Sequence, residues 1–324
     1  TVALTVSNDY GTDTETKIDY IIVGTPPTAD FIADQTNITE GGIISFTNQS
    51  TNNPTTWDWD FGDGNSSSEE NPSHTYVNVG VYTVSLTVTN DYGTNTETKT
   101  DYITVITADG PGEPISDIDG NTYQTVWIGG QNWMTENLRT TTYSDGTAID
   151  LITDNATWGS NNTTGAYCWY YNDESTYGNT YGAMYNWHAV NTANLCPDGW
   201  HVPTDDEWKT LEMYLGMSSS EVDNTGYRGT NEGSKLAGYA ALWSDGVLES
   251  DSEFDTSGFD AVPGGYRNGG SGEFLNLTGS CYYWSSSEND NSEAWYRHLY
   301  NHSTMISRNA IYEGLGLSVR CLKD

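Results

Sequence analysis

Basic side chains are scarce in this 324-residue chain, where 11 lysines and arginines face 45 aspartates and glutamates and the formal charge is −34. A surface this negative repels phosphate backbones and anionic lipid, which argues against nucleic-acid binding and peripheral membrane binding. No run of about 18 apolar residues occurs, so membrane insertion as a helix is not expected, and no signal peptide is visible. The chain opens inside a strand pattern, TVALTVSNDYG, as a segment of a longer or processed protein would. Cysteine is limited to Cys168, Cys196, Cys281 and Cys321. None lies in a CxxC pair and the spacing matches no zinc site. An even count in a lysine-poor, aromatic-rich chain points instead to disulfides in an exported protein. Catalytic signatures are missing too: there is no G-x-S-x-G elbow, and no Ser/His/Asp or Cys/His set stands out among five histidines. Among 45 carboxylates, chance acid pairs carry no weight.

What is present is tyrosine, tryptophan, glycine, asparagine, serine and threonine, a composition suited to short strands and long loops. Eight Asn-x-Ser/Thr sequons (Asn37, Asn48, Asn65, Asn155, Asn161, Asn162, Asn276 and Asn301) follow from that composition and are not expected to be modified. The stretch WDWDFGDG, Trp57 to Gly64, alternates bulky rings with aspartates. Strand periodicity puts Trp57, Trp59 and Phe61 on one face and Asp58 and Asp60 on the other. Gly62-Asp63-Gly64 then supplies a tight turn. Two carboxylates side by side repel unless water, a cation or hydrogen-bond donors screen them.

The strongest internal signal is a repeat. TVALTVSNDYGTDTETKIDYIIV at Thr1 to Val23 returns as TVSLTVTNDYGTNTETKTDYITV at Thr83 to Val105, Asn8 and Asn90 standing 82 residues apart. Short alternating strands separated by Gly, Pro and Asn turns predict an all-β sandwich. After Val105 the text changes to the Pro/Gly-rich ITADGPGEPISD, a linker of limited flexibility. Farther on, CPDGWHVPTDDEWKTLEMYLG holds the clearest helix. Thr204 and Glu207 form a capping box, Asp205 and Asp206 suit the helix dipole, and Trp208, Leu211 and Leu215 share one face. The end of the chain (CYYWSSSE, AWYRHLY, GLGLSVRCLKD) reads as strands.

WDWDFGDG, then NPSHTY and GVYTVSLTVTNDYG, resemble the polycystic kidney disease (PKD) domain, an immunoglobulin-like sandwich found in arrays on exported proteins. The resemblance implies a tail of one module at 1–25, a complete module at 26–106, and a spacer role. Some members of that family bind calcium through aspartates at this strand, which makes Asp58, Asp60 and Asp101 the candidate metal ligands here and calcium the candidate cofactor.

Beyond a linker at 107–115, the segments DIDGNTYQTVWIGGQNWMTENLR, YGAMYNWHAV, CPDGWHVPTDDEW, AVPGGYRN, YYWSSSE and GLSVRCLKD resemble the Fibrobacter succinogenes major paralogous (FISUMP) domain over 116–324. The resemblance implies an α+β fold like C-type lectins and formylglycine-generating enzymes, on bacterial surface or secreted proteins, with no defined activity. Such a fold brings the element before the helix to the last strand, which implies a Cys196–Cys321 disulfide and leaves Cys168–Cys281 as the second pair. The Glu-Pro-Asn and Gln-Pro-Asp loops of calcium-dependent lectins are absent, and Cys321 alone does not supply the thiol pair of the formylglycine-generating enzymes.

In AWYRHLY, Leu299 sets the parity: Trp295 and Arg297 share its buried face, while Tyr296, His298 and Tyr300 point outward. The following NHSTMISRN adds His302, Arg308 and Asn309. Side chains of these kinds build rigid, amphipathic binding surfaces, so these six are the candidate ligand-binding residues. The expectation is a non-enzymatic, extracellular or cell-surface bacterial adhesin whose PKD-like spacers display a lectin-like domain for a glycan or surface protein. The alternatives are a self-assembling subunit of an extracellular filament and a formylglycine-generating type of oxidase.

Overall fold

The computed structural model describes residues 1–161, 163–290 and 292–324; the sequon asparagine Asn162 lies outside them. The chain divides into two compact units, Thr1–Thr107 and Ala108–Asp324. No helix among the described residues is long and apolar enough to cross a membrane.

The first unit holds strands β1 (Val2–Asn8), β2 (Gly11–Lys17), β3 (Phe31–Ala33), β4 (Asn37–Thr39), β5 (Ile43–Asn48), β6 (Thr56–Asp60), β7 (Ser66–Ser67), β8 (Ser73–Thr75), β9 (Gly80–Asn90) and β10 (Gly93–Ile106). One sheet runs β4-β10-β9-β6-β7, another β3-β5-β8. Alternation does what the sequence requires: Trp59 and Phe61 are buried with Phe31, Phe46, Val84, Leu86 and Val88, while Asp58 and Asp60 stay exposed. The turn is stapled by its own polar groups. Asp60 Oδ1 accepts from the Gly62 N–H at 2.9 Å, and Asp63 accepts from the Asn65 backbone N–H at 3.0 Å. His74 meets Asp63 at 2.8 Å and stacks on Phe61 with centroids 4.2 Å apart. Gly62, at φ +80°, could carry no side chain, because a Cβ would lie 2.4 Å from the Thr83 carbonyl oxygen.

The repeat reappears in three dimensions: β1 pairs β2 as β9 pairs β10, with Val2 opposite Lys17 and Val84 opposite Lys99. Their surroundings differ. Val84, Leu86 and Val88 are fully buried, whereas Val2, Leu4 and Val6 are 39%, 65% and 56% exposed.

The second unit is α+β, with short helices and small sheets joined by long loops. The hairpin Thr125–Ile128 and Gln131–Met134 turns at Gly129-Gly130 and lies in a five-stranded sheet with Gly110–Pro111, Trp200–His201 and Leu322–Lys323. A four-stranded antiparallel sheet is ordered Gly226–Arg228, Ser303–Tyr312, Glu293–Tyr300, Ser280–Asp290. The helix Asp205–Tyr214 carries both halves of the capping box and buries Trp208 and Leu211. The last stretch is a strand only at Leu322–Lys323. Before that it threads through the core by single bridges such as Tyr185 to Leu317 and Tyr283 to Ser318.

Cys196 and Cys321 form the expected disulfide. Cys168 and Cys281 do not pair; both are free and buried. Cys168 sits in a small core with Trp158, Tyr170 and Met184, and Cys281 belongs to the helix-side core with Trp208 and Leu299. Burial pushes both thiols up to about 12, so neither offers a thiolate at neutral pH.

Candidate functional site

The four-stranded sheet has two chemically different faces, set by strand parity. Registers place Leu299 opposite Cys281, and Arg297 opposite Tyr283 and Arg308. This face packs on the helix and holds a dry ionic cluster. Arg297 donates to Glu212 Oε1 at 2.5 Å and to Asp205 Oδ1 at 2.8 Å, Arg228 donates to Glu212 Oε2 at 2.7 Å, and Arg308 donates to Asp205 Oδ2 at 2.7 Å. Burial alone would raise the Asp205 carboxyl, but hydrogen bonds from Arg308 and the charge of Arg297 hold it well below the usual carboxylate range.

The opposite face is aromatic. Tyr227 lies opposite Ser307, Ser307 opposite His298, and His298 opposite Tyr282, one row across all four strands. His298 and Tyr282 stack at 4.3 Å with planes 7° apart, and Tyr227 Oη lies 3.4 Å from His298 Nδ1. The chain of rings continues from His298 to Tyr300 at 6.0 Å and on to His302 at 5.1 Å, and Tyr266 packs on Tyr282 at 5.0 Å. Burial pushes the His298 imidazole down to about 4, so at neutral pH it is an uncharged ring in an aromatic array. Tyr300 and Tyr227 are 36% and 43% exposed and, with the exposed His302, form the accessible part of the array.

Three expectations need correction. Tyr296 is buried, covered with Trp284 by a hydrophobic core that includes Leu317. Arg308 is buried in the ionic cluster, whereas the half-buried Asn309 beside it lies opposite Tyr296 on the aromatic face, its Oδ1 accepting from the Gly226 N–H at 3.1 Å. Both residues lie on the strand Ser303–Tyr312, and neighbours on a strand cannot serve one face. His298, Tyr300 and His302 are brought together as expected. Tyr227, Tyr266 and Tyr282 were missed. The alternation in CYYW carries a signal for Tyr282, but nothing local connects Tyr227 or Tyr266 to this sheet.

For the metal candidates, Asp58 and Asp60 lie on the exposed face of β6. Asp101 occupies a bulge of β10 at φ +51°, its N–H donating to Thr83 Oγ1 at 3.2 Å. Among the described residues no group of three or more His, Cys, Asp or Glu could hold a metal ion.

Family models match two stretches of the chain: residues 126–323 match the Fibrobacter succinogenes major domain and residues 24–105 match a PKD domain. Among solved structures, the PKD1 domain of the Vibrio cholerae metalloprotease PrtV is 35% identical. That match covers 25% of this chain and 98% of that one, with a TM-score of 0.22. The PKD1 domain of Vibrio anguillarum Epp is 41% identical over 26% and 99% of the two chains, with a TM-score of 0.23. The PKD domain of the human receptor SorCS2 is 19% identical over 29% and 87%, with a TM-score of 0.24. No curated protein matches the chain.

Proposed function

The chain belongs to the Fibrobacter succinogenes major domain family and carries a PKD domain ahead of the family segment, and on that premise we propose that it is an extracellular bacterial display protein. The PKD sandwich is the spacer, and the second unit, taken as C-type-lectin-like, is the non-enzymatic binding domain for a glycan or surface protein. The observation that carries the proposal is the aromatic array spanning Tyr227, Tyr282, His298, Tyr300 and His302 on one sheet face. Rings held by stacking lose little freedom on contact, so their exposed edges bind at low entropic cost. A disulfide closing the domain suits an oxidising compartment. Thiol oxidase chemistry is disfavoured, since Cys321 is bonded to Cys196 and the remaining two thiols are buried.

A glycan and surface-protein array probed with the chain and with Tyr227→Ala/Tyr300→Ala tests the proposal. The expected outcome is a ligand whose affinity falls by about 2 kcal/mol or more in the variant while the melting temperature holds. Binding that ignores both substitutions would refute it. Sedimentation that shows filaments, dispersed by the same two substitutions, would assign the array to self-assembly.

A further inference from the structure

Two cavities of the second unit adjoin one another. One, of about 390 Å³, and another, of about 700 Å³, share Thr135, Glu136 and Tyr239 in their walls, so the two are lobes of one cleft with Tyr239 on the ridge between them. Each lobe falls in the roughly 300–1,000 Å³ range of small-molecule sites. The cleft does not share a residue with the aromatic array.

Tyr239 is 55% exposed and sits at φ +55°, in the left-handed region, where a bulky residue is strained. A strained, solvent-facing ring is an arrangement that folding alone does not favour. Planar polar groups surround it. Arg139 and Asn179 line the smaller lobe, where Arg139 Nη1 lies 3.5 Å from Glu136 and its Nη2 donates to the Thr122 carbonyl at 2.9 Å. Asp255 and Asp260 line the larger lobe. Burial and a hydrogen bond shared with Asp260 push the Asp255 carboxyl up to about 6. Leu242 and Val262 add an apolar patch to the smaller lobe.

We propose that this cleft is a second binding site, for a neutral oligosaccharide that lays one sugar ring on Tyr239 and reaches into both lobes. Carboxylates accept from sugar hydroxyls, guanidinium and amide groups donate to them, and fixed planar groups match hydroxyls on adjacent carbons. The hydrophobic face of a pyranose suits an exposed tyrosine. Anionic polymers are disfavoured by the charge of −34. Two lobes flanking one ridge call for more than one ring.

Isothermal titration of the full chain with cellohexaose, xylohexaose and mannohexaose, and with a hexalysine peptide, tests the site. At least one hexasaccharide should bind. Tyr239→Asn, which removes the ring but tolerates the left-handed backbone, should weaken it at least about tenfold. Glu136→Gln, nearly isosteric, should weaken it severalfold and serves if the first variant melts early. Tyr10→Ala, an exposed tyrosine in the other unit, should change nothing. Binding of none of the three sugars, binding of hexalysine in their place, or binding that survives Tyr239→Asn and Glu136→Gln but is lost in Tyr300→Ala would each overturn the proposal.

Discussion

Replacing Glu212 by Gln strikes the ionic cluster at its most buried member. Glu212 has no exposed surface and accepts from both Arg297 and Arg228. A glutamine keeps one acceptor oxygen and turns its NH₂ group against an arginine, donor facing donor. Arg297 would retain Asp205 at 2.8 Å. Arg228 would retain only the Asn224 carbonyl at 3.2 Å and the Met217 sulfur at 3.5 Å, a buried cation with no carboxylate. Stranding a buried charge costs roughly 3–5 kcal/mol, whereas removing both partners is far less damaging. Glu212→Gln should therefore destabilise the second unit by about that amount, and Glu212→Gln/Arg228→Met should recover at least about 2 kcal/mol of it. Urea unfolding followed by tryptophan fluorescence reads this unit almost alone, because only Trp57 and Trp59 of the 12 tryptophans lie in the sandwich. A loss under about 1 kcal/mol for the single variant, or additive losses in the double, would show the cluster to be solvated and refute the reasoning. Acid offers an independent check. Asp205 is held below its ordinary value, so its contribution is complete above about pH 4, the unfolded value, and shrinks as the pH falls further.

The disulfide spans 125 residues, for which chain entropy predicts a loss of about 5 kcal/mol in Cys196→Ser/Cys321→Ser; a loss below about 1 kcal/mol would contradict this. Thiol titration should count two reactive thiols in unfolded, unreduced protein and none in the native state, and four in the unfolded sample would remove the bridge. His298 is pushed down to about 4 by burial, so charging it opposes folding. Stability should be complete above about pH 6.5, the unfolded value, and decline toward pH 4 by up to roughly 3 kcal/mol. His298→Phe, which keeps the stacking, should flatten that decline, and an identical slope would reject the assignment. For the sandwich, chelation should leave the melting temperature unchanged, because Asp63 is occupied by Asn65 and His74 and leaves Asp58 and Asp60 facing water. A calcium-dependent rise of several degrees abolished by Asp58→Asn/Asp60→Asn would instead place an ion there.

Properties that depend on near neighbours were legible in the sequence. The capping box at Thr204 needs only residues three apart, and the faces of β6 need only alternation between Trp57 and Phe61. The motifs that carry the family resemblance span most of the second unit, and the disulfide followed from that resemblance. What escaped was long-range. Parity could state that Arg308 and Asn309 oppose each other only once Ser303–Tyr312 was known to be a strand, and its partner Gly226–Arg228 lies some 80 residues away in the chain. The aromatic array needs four strands in register, and the cleft needs segments far apart in the chain to meet around Tyr239.

The repeat separates the two kinds of information most cleanly. TVALTVSNDYG and TVSLTVTNDYG specify the same hairpin with the same partners, because turn chemistry and alternation act within a few residues. Whether its valines and leucine become core is not written there. Val84, Leu86 and Val88 are buried because Phe31, Phe46, Trp59 and Phe61 are brought against them. Burial is a property of what the rest of the chain places alongside a strand, so the tertiary structure alone decided it.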